Sequence, residues 1–184
     1  MRYRICLVNV AWVLAYVAIA MLVPGVIALL GGDLFQAEAF GASAAVTGFV
    51  AGAVLFTLRG TDRPQGRAEM VLTPVLAWFI VPVFAALPFF MGGVTPSFID
   101  AFFEATSGIT TTGATILPSL DEVPSSILFW RAWLQWLGGF ATLVMVMSMF
   151  PILDLAGMQM STNLLRHGEG ESIADRIRGI IRNL

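Results

Sequence analysis

A stretch rich in threonine and glycine contains the residues of this sequence that could do chemistry. It covers residues 109–118 and reads Ile-Thr-Thr-Thr-Gly-Ala-Thr-Ile-Leu-Pro. Backbone carbonyls and threonine hydroxyls are oxygen ligands that can replace the water shell of a cation. Glycine reaches backbone angles that other residues resist, so Gly113 can aim its carbonyl at an ion. This threonine–glycine loop therefore indicates cation coordination; the alternative is a polar loop outside the membrane.

The residues before the loop predict a short helix from Ser97 to Ser107. Ser97 and Asp100 have the spacing of a capping box, and Gly108 is expected to stop the helix. At about 1.5 Å per residue the helix is roughly 16 Å long, which is half of a bilayer. Its C-terminal end carries the negative pole of the helix dipole, which favours a cation at the membrane centre.

The composition places these segments in a membrane protein. Hydrophobic residues make up 58% of the chain and charged residues 12%, whereas soluble domains carry about 25% charged residues. The mean hydropathy is +0.84. Apolar runs of about 20 residues match a hydrocarbon core of roughly 30 Å. We predict an all-α integral membrane fold with four transmembrane helices plus a re-entrant half-helix and filter loop.

The predicted spans divide the chain into four parts. The first two spans meet at a short acidic loop that contains Asp33 and Glu38, and small residues at Ala44, Gly48 and Gly52 favour close packing of the second span. The parts are two N-terminal helices (1–58), a cytoplasmic loop (59–69), a helix–pore loop–helix repeat (70–150) and a cytoplasmic or membrane-surface tail (151–184).

Prolines mark two features of the repeat. Pro74, Pro82 and Pro88 predict an irregular third span, from Met70 to Met91. The fourth span is predicted over residues 126–150, and Pro151 is expected to end it.

The arginines predict the orientation of the chain. All basic residues are arginine, and with four spans every arginine except Arg131 falls on one side. The opposite loops contain acidic residues and no arginine. By the positive-inside rule the arginine side, with both termini, is cytoplasmic.

Two charged residues are expected at membrane depth. An intramembrane carboxylate is costly, so Glu104 is expected either to accept hydrogen bonds from the loop backbone or to attract cations. Arg131 is expected to snorkel or to pair with Glu104 or Asp121; an ion-repelling or gating role is the alternative. Gly138 and Gly139 are expected to permit close packing behind the loop, with a hinge as the alternative.

Several function classes receive no support from the sequence. It has no nucleophile–base pair and no set of His, Cys, Asp and Glu with metal-ligand spacing, so an enzyme is disfavoured. The net charge of -2 and the lack of a basic stripe give no indication of a nucleic-acid partner.

The chain also resembles a known family along essentially its whole length. Residues 103–115, Phe-Glu-Ala-Thr-Ser-Gly-Ile-Thr-Thr-Thr-Gly-Ala-Thr, closely resemble the first pore loop of TrkH-type potassium uptake proteins, in the Trk/Ktr/HKT superfamily. Residues 129–131 (Phe-Trp-Arg) and 135–139 (Gln-Trp-Leu-Gly-Gly) resemble the start of the helix that follows. Residues 151–153 and 157–159 resemble the subsequent cytoplasmic linker, and the two extra N-terminal helices resemble TrkH more than KtrB.

This resemblance implies potassium (monovalent cation) transport across a bacterial inner membrane, with no cofactor. Family members build their filter from four helix–loop–helix repeats in one chain. They form homodimers and couple to a cytoplasmic nucleotide-binding regulatory partner. The implied K⁺ contacts are Thr111 and Thr112, and the implied supporting residues are Glu104, Gly108 and Arg131. The filter positions that match are Thr110, Thr111, Thr112, Gly113 and Ala114.

The sequence departs from the family pattern in two places. Phe140 and Ala141 stand where the family usually has Met-Gly, and one repeat is present instead of four. Because a single loop cannot surround an ion, we expect a fragment or truncated member whose pore is completed by further repeats or copies. The alternative is a non-conducting membrane subunit that modulates a full-length transporter.

Overall fold

A computed structural model describes residues 3–60 and 66–169, with side chains through residue 147 except those of residues 67 and 68. This part of the chain is helical and contains no strand, which confirms the all-α prediction. The chain divides into two compact units, Met1–Met145 and Val146–Leu184, and the packing described below belongs to the first. The helices are α1 (Tyr3–Leu30), α2 (Leu34–Thr57), α3 (Arg67–Ala85), α4 (Leu87–Met91), α5 (Phe98–Ile109) and α6 (Ser125–Glu169).

Three segments of the described residues are long and apolar enough to cross a membrane. They are Tyr3–Leu30, Leu34–Thr57 and Glu69–Met91, and they confirm the first three predicted spans. The fourth predicted span lies within α6, which is not among the three. The side chains of α6 are described only through residue 147, so the membrane crossing of this helix stays a prediction.

The connection between α1 and α2 is shorter than the sequence predicted. α2 begins at Leu34, so Glu38 lies in the helix and not in a loop. The Asp33 carboxylate accepts a hydrogen bond from the Gln36 amide at 3.1 Å, which satisfies one of the free donors of the first turn. Asp33 is therefore an N-cap, and it starts the helix at the point where the prediction placed a loop.

The small-residue stripe of α2 packs against α1 over part of its length. A Cβ atom at Gly48 would lie 3.8 Å from the Ala18 Cβ, and Ala44 is buried. Gly52 is exposed and faces open space. The stripe therefore supports contact within the chain at Ala44 and Gly48 only.

The third predicted span is interrupted near its C-terminal end. α3 continues through Pro74 and Pro82 and ends at Ala85, just before Leu87 and Pro88 begin α4. A proline lacks the amide that would continue the helical hydrogen bonding. The indole of Trp130, which is fully buried, donates to the Ala85 carbonyl at 3.1 Å. This bond holds the start of α6 against the interruption.

α5 is the predicted short helix, with a later end. Ser97 caps it: its hydroxyl accepts from the Asp100 amide at 3.2 Å and lies 2.7 Å from the Asp100 carboxylate, which confirms the predicted capping pair. The helix ends at Ile109, so the prediction that Gly108 stops it is wrong. A Cβ atom at Gly108 would lie 3.1 Å from the Leu134 Cβ, so glycine here serves close packing.

Loss of this cap should destabilise the protein. Ser97→Ala leaves the Asp100 amide without its side-chain acceptor, and we expect the free energy of unfolding to fall by about 1 kcal/mol. Unfolding by SDS in detergent micelles measures this change. Ser97→Thr retains the hydroxyl and serves as the control; equal stabilities of the two variants would contradict the capping role.

α6 extends beyond its predicted end. Pro151 lies inside the helix, which continues to Glu169, so the prediction that Pro151 ends it is wrong. A proline removes one backbone hydrogen bond and bends a helix, and the remaining bonds can continue past it. Predictions for residues 61–65 and for the tail beyond Glu169 fall outside the described residues.

Candidate cation-coordinating loop

The threonine–glycine loop folds back over the C-terminal end of α5. The Thr110 amide donates to the Thr106 carbonyl at 2.9 Å, and the Thr111 amide donates to Gly108 at 3.0 Å. The Gly113 amide then donates to the Ser107 carbonyl at 3.3 Å. Residues 107–109 are buried, whereas residues 110–116 are exposed. The loop therefore presents one open side and is attached to the helix on the other.

Two alternate residues of the loop have left-handed backbone. The φ angle is +58° at Thr111 and +76° at Gly113. Glycine adopts this conformation without steric cost, but a β-branched residue does so only when its surroundings enforce it. Such strain is found preferentially at functional sites.

The hydroxyls of the residues on either side of Thr111 hold it in the left-handed conformation. Thr110 Oγ1 donates to the Thr106 carbonyl at 2.7 Å and lies 2.8 Å from Thr112 Oγ1. Because the Thr110 proton is used in the first bond, Thr112 is the donor in the second. The hydroxyls of Thr110 and Thr112 thus fasten the loop.

Glu104 holds the far end of the loop from inside the protein. Its side chain is fully buried, and Oε1 accepts from the Thr115 hydroxyl at 2.7 Å and the Ile116 amide at 2.8 Å. Oε2 lies 3.1 Å from Arg131 Nε, in contact by charge without a well-aligned hydrogen bond. The acceptor role predicted for Glu104 is thus observed, and Glu104, not Asp121, is the partner of Arg131.

Arg131 ties the loop to α6. One terminal nitrogen of its guanidinium donates to the Gly113 carbonyl at 3.0 Å and to the Ala114 carbonyl at 2.8 Å. The Gly113 carbonyl therefore points at a guanidinium, whereas the sequence predicted that it would be aimed at an ion. Cation contact at Gly113 or Ala114 stays a prediction that this geometry does not support.

Glycines let α6 approach α5 directly behind the loop. A Cβ atom at Gly138 would overlap the carbonyl oxygen of Ile109, and one at Gly139 would lie 3.9 Å from the Thr111 methyl. The close packing predicted for this pair is therefore present at Gly138. The reason is steric, since only hydrogen fits between the α6 backbone and Ile109.

Ser107 is a further residue of the site, and its role was not predicted from the sequence. Its hydroxyl, in the last turn of α5, donates to the Ala114 carbonyl at 2.6 Å. The sequence feature that could have indicated this role is a serine in the last helical turn before an irregular stretch, because such side chains commonly form hydrogen bonds to nearby backbone.

The oxygen atoms that the open side of the loop offers to a cation are uncharged carbonyls and hydroxyls. Within residues 3–60 and 66–169, no cluster of three His, Cys, Asp or Glu side chains could hold a metal ion. Fold and site together define an all-α integral membrane protein in which a short helix and an oxygen-rich loop are supported by the helix that follows.

Comparisons with known proteins identify the family. Residues 38–184 match the model of the TrkH cation transport proteins. The Trk system potassium uptake protein TrkH of Vibrio parahaemolyticus is 36% identical over 87% of this chain and 33% of its own length. TrkH of Escherichia coli is 39% identical over 76% of this chain and 29% of its own length. The chain belongs to the TrkH cation transport protein family.

A solved structure supports the same assignment. The crystal structure of the potassium transporter TrkH from Vibrio parahaemolyticus matches 90% of this chain with a TM-score of 0.75 and 31% identity. The match covers 36% of that protein. The chain thus spans about a third of the length of the relatives it matches.

Proposed function

We propose that this chain contributes one repeat of a potassium-selective pore, with no cofactor other than the transported ion. The observation that carries the proposal is the open oxygen edge of Thr110, Thr111 and Thr112 at the end of a half-length helix. Within the described part of the chain, no donor contacts the carbonyls of these residues. Unsatisfied carbonyls at membrane depth are costly unless they line a cavity or bind an ion.

The charges around the loop favour a cation at this edge. The last turn of α5 places the negative pole of its dipole beside Thr110. Glu104 is balanced by Arg131, so its carboxylate supports the loop and is not the source of attraction. We therefore propose that K⁺ contacts Thr111 and Thr112, where backbone oxygens replace water.

The edge surrounds an ion only in part, since a single loop supplies one side of a ring. The names of the relatives, potassium uptake proteins, support potassium as the ion. We propose that further repeats or further copies of the chain complete the ring, and that a cytoplasmic nucleotide-binding subunit regulates it. From the arginine distribution, we propose an inner-membrane location with cytoplasmic termini.

Gly113→Ser should reduce the preference for rubidium over sodium by about tenfold. A serine Cβ atom fits at this position, because it would lie 3.7 Å from Gln135 Nε2. However, the left-handed conformation costs a residue other than glycine about 1–2 kcal/mol. Relief of this strain would move Thr112 and its carbonyl. Rubidium and sodium fluxes into liposomes that contain the purified chain measure the preference.

Gly32→Ser is the matched control, because Gly32 has φ of +79° in the turn between α1 and α2 and faces open space. Unchanged selectivity of a conducting Gly113→Ser protein would contradict the assignment of the loop. Absence of flux from folded wild-type protein would favour a non-conducting subunit or a pore that lacks its other repeats.

A further inference from the structure

Ser107 holds the loop at two consecutive residues. It is buried in the last turn of α5, where its carbonyl accepts from the Gly113 amide at 3.3 Å. Its hydroxyl donates to the Ala114 carbonyl at 2.6 Å. Short contacts of this kind are the stronger hydrogen bonds between oxygen atoms.

The carbonyls of the loop change direction next to this contact. The Ala114 carbonyl accepts from Ser107 on α5 and from Arg131 on α6, and both donors are buried. The Gly113 carbonyl also accepts from Arg131. The carbonyls of residues 110–112 accept no such bond within the described part of the chain. The change in carbonyl direction occurs at Gly113, whose left-handed backbone permits it.

We infer that Ser107 is a positioning residue that turns the Ala114 carbonyl away from the cation path and so ends the ion-lining stretch at Thr112. The inference rests on the proposed function, because it presumes that the open edge of the loop lines that path. It assigns to Ser107 the outer boundary of coordination in this repeat.

Arg131 alone would fix this boundary poorly. A single guanidinium nitrogen serves both carbonyls, while Nε of the same group faces Glu104. Arginine also has a long side chain with many rotamers, whereas serine positions its hydroxyl through one torsion. The serine hydroxyl therefore restrains Ala114 from α5 independently of the arginine.

Hydrogen exchange of single amides, read by NMR in detergent micelles, tests the restraint. Ser107→Ala removes the hydroxyl bond to the Ala114 carbonyl. The neighbouring Gly113 amide should then exchange about fivefold faster, which corresponds to the loss of one net hydrogen bond. The Ile116 amide is held separately by Glu104 and should exchange as in wild type. Thr106→Val is the matched control, because the buried Thr106 hydroxyl has no partner in the described residues. Ser107→Thr retains a hydroxyl and should restore slow exchange.

The same measurement in potassium and in sodium chloride separates the inference from the function on which it rests. Slower exchange of residues 111–113 in potassium, with less discrimination in Ser107→Ala, supports both. Faster Gly113 exchange in Ser107→Ala, with no potassium–sodium difference in wild type, supports the hold of Ser107 on the loop but contradicts potassium binding at the open edge by this chain alone. Equal Gly113 exchange in wild type and Ser107→Ala overturns the inference.

Discussion

Gly138→Ala should lower the free energy of unfolding by about 3 kcal/mol, because α6 contacts α5 at this glycine without room for a methyl group. The added Cβ would overlap the Ile109 carbonyl oxygen and approach the Ile109 Cα to 3.0 Å. These are backbone atoms, so no side-chain rotation can relieve the overlap. The two helices must separate, and because Ile109 directly precedes Thr110, the loop must move with them.

Unfolding in detergent micelles measures the loss, and two other glycines calibrate it. Gly41→Ala is the control, because Gly41 lies on the exposed side of α2 with open space around it, and alanine favours helix there. Gly108→Ala should have an intermediate effect, since the Leu134 Cβ would have to yield by a few tenths of an ångström. Equal stabilities of the Gly138 and Gly41 variants would contradict direct contact between the helices.

Features that depend on neighbouring residues were predictable from the sequence. The first three spans follow from apolar runs long enough to cross the bilayer. The cap at Ser97 follows from a bond to Asp100 three residues away, and the interruption before Pro88 follows from its missing amide. For the cap and the interruption the physical cause lies within one helical turn of its effect, and for the spans it lies within the apolar run itself.

Features that depend on packing between segments were predictable only in part: the sequence indicated close packing at Gly138 but not the three contacts that follow. The sequence predicts Gly108 as a helix stop, because it does not show that Leu134 lies against this glycine. The direction of the Gly113 carbonyl depends on where Arg131 ends up, and the sequence left two partners open for that arginine. The role of Ser107 likewise appears only when the loop is seen to fold back over α5.

Arg131→Met should cost about 3–5 kcal/mol of unfolding free energy, the range for removing one partner of a buried ion pair. The variant leaves the fully buried Glu104 carboxylate without its counter-charge. It also removes the donor to the Gly113 and Ala114 carbonyls. The side chain of methionine is similar in length, so the change tests charge and hydrogen bonding more than volume.

The double variant Glu104→Gln with Arg131→Met separates the ion pair from the hydrogen bonds. A glutamine oxygen can still accept from the Ile116 amide, and no charge is left buried, so part of the lost stability should return. Arg59→Met is the control, since Arg59 is exposed and its guanidinium lies over the Phe56 ring at 4.5 Å. If the double variant were no more stable than Arg131→Met, the ion pair would not be the main constraint. The loop would then depend on its hydrogen bonds to Ser107, Glu104 and the end of α5.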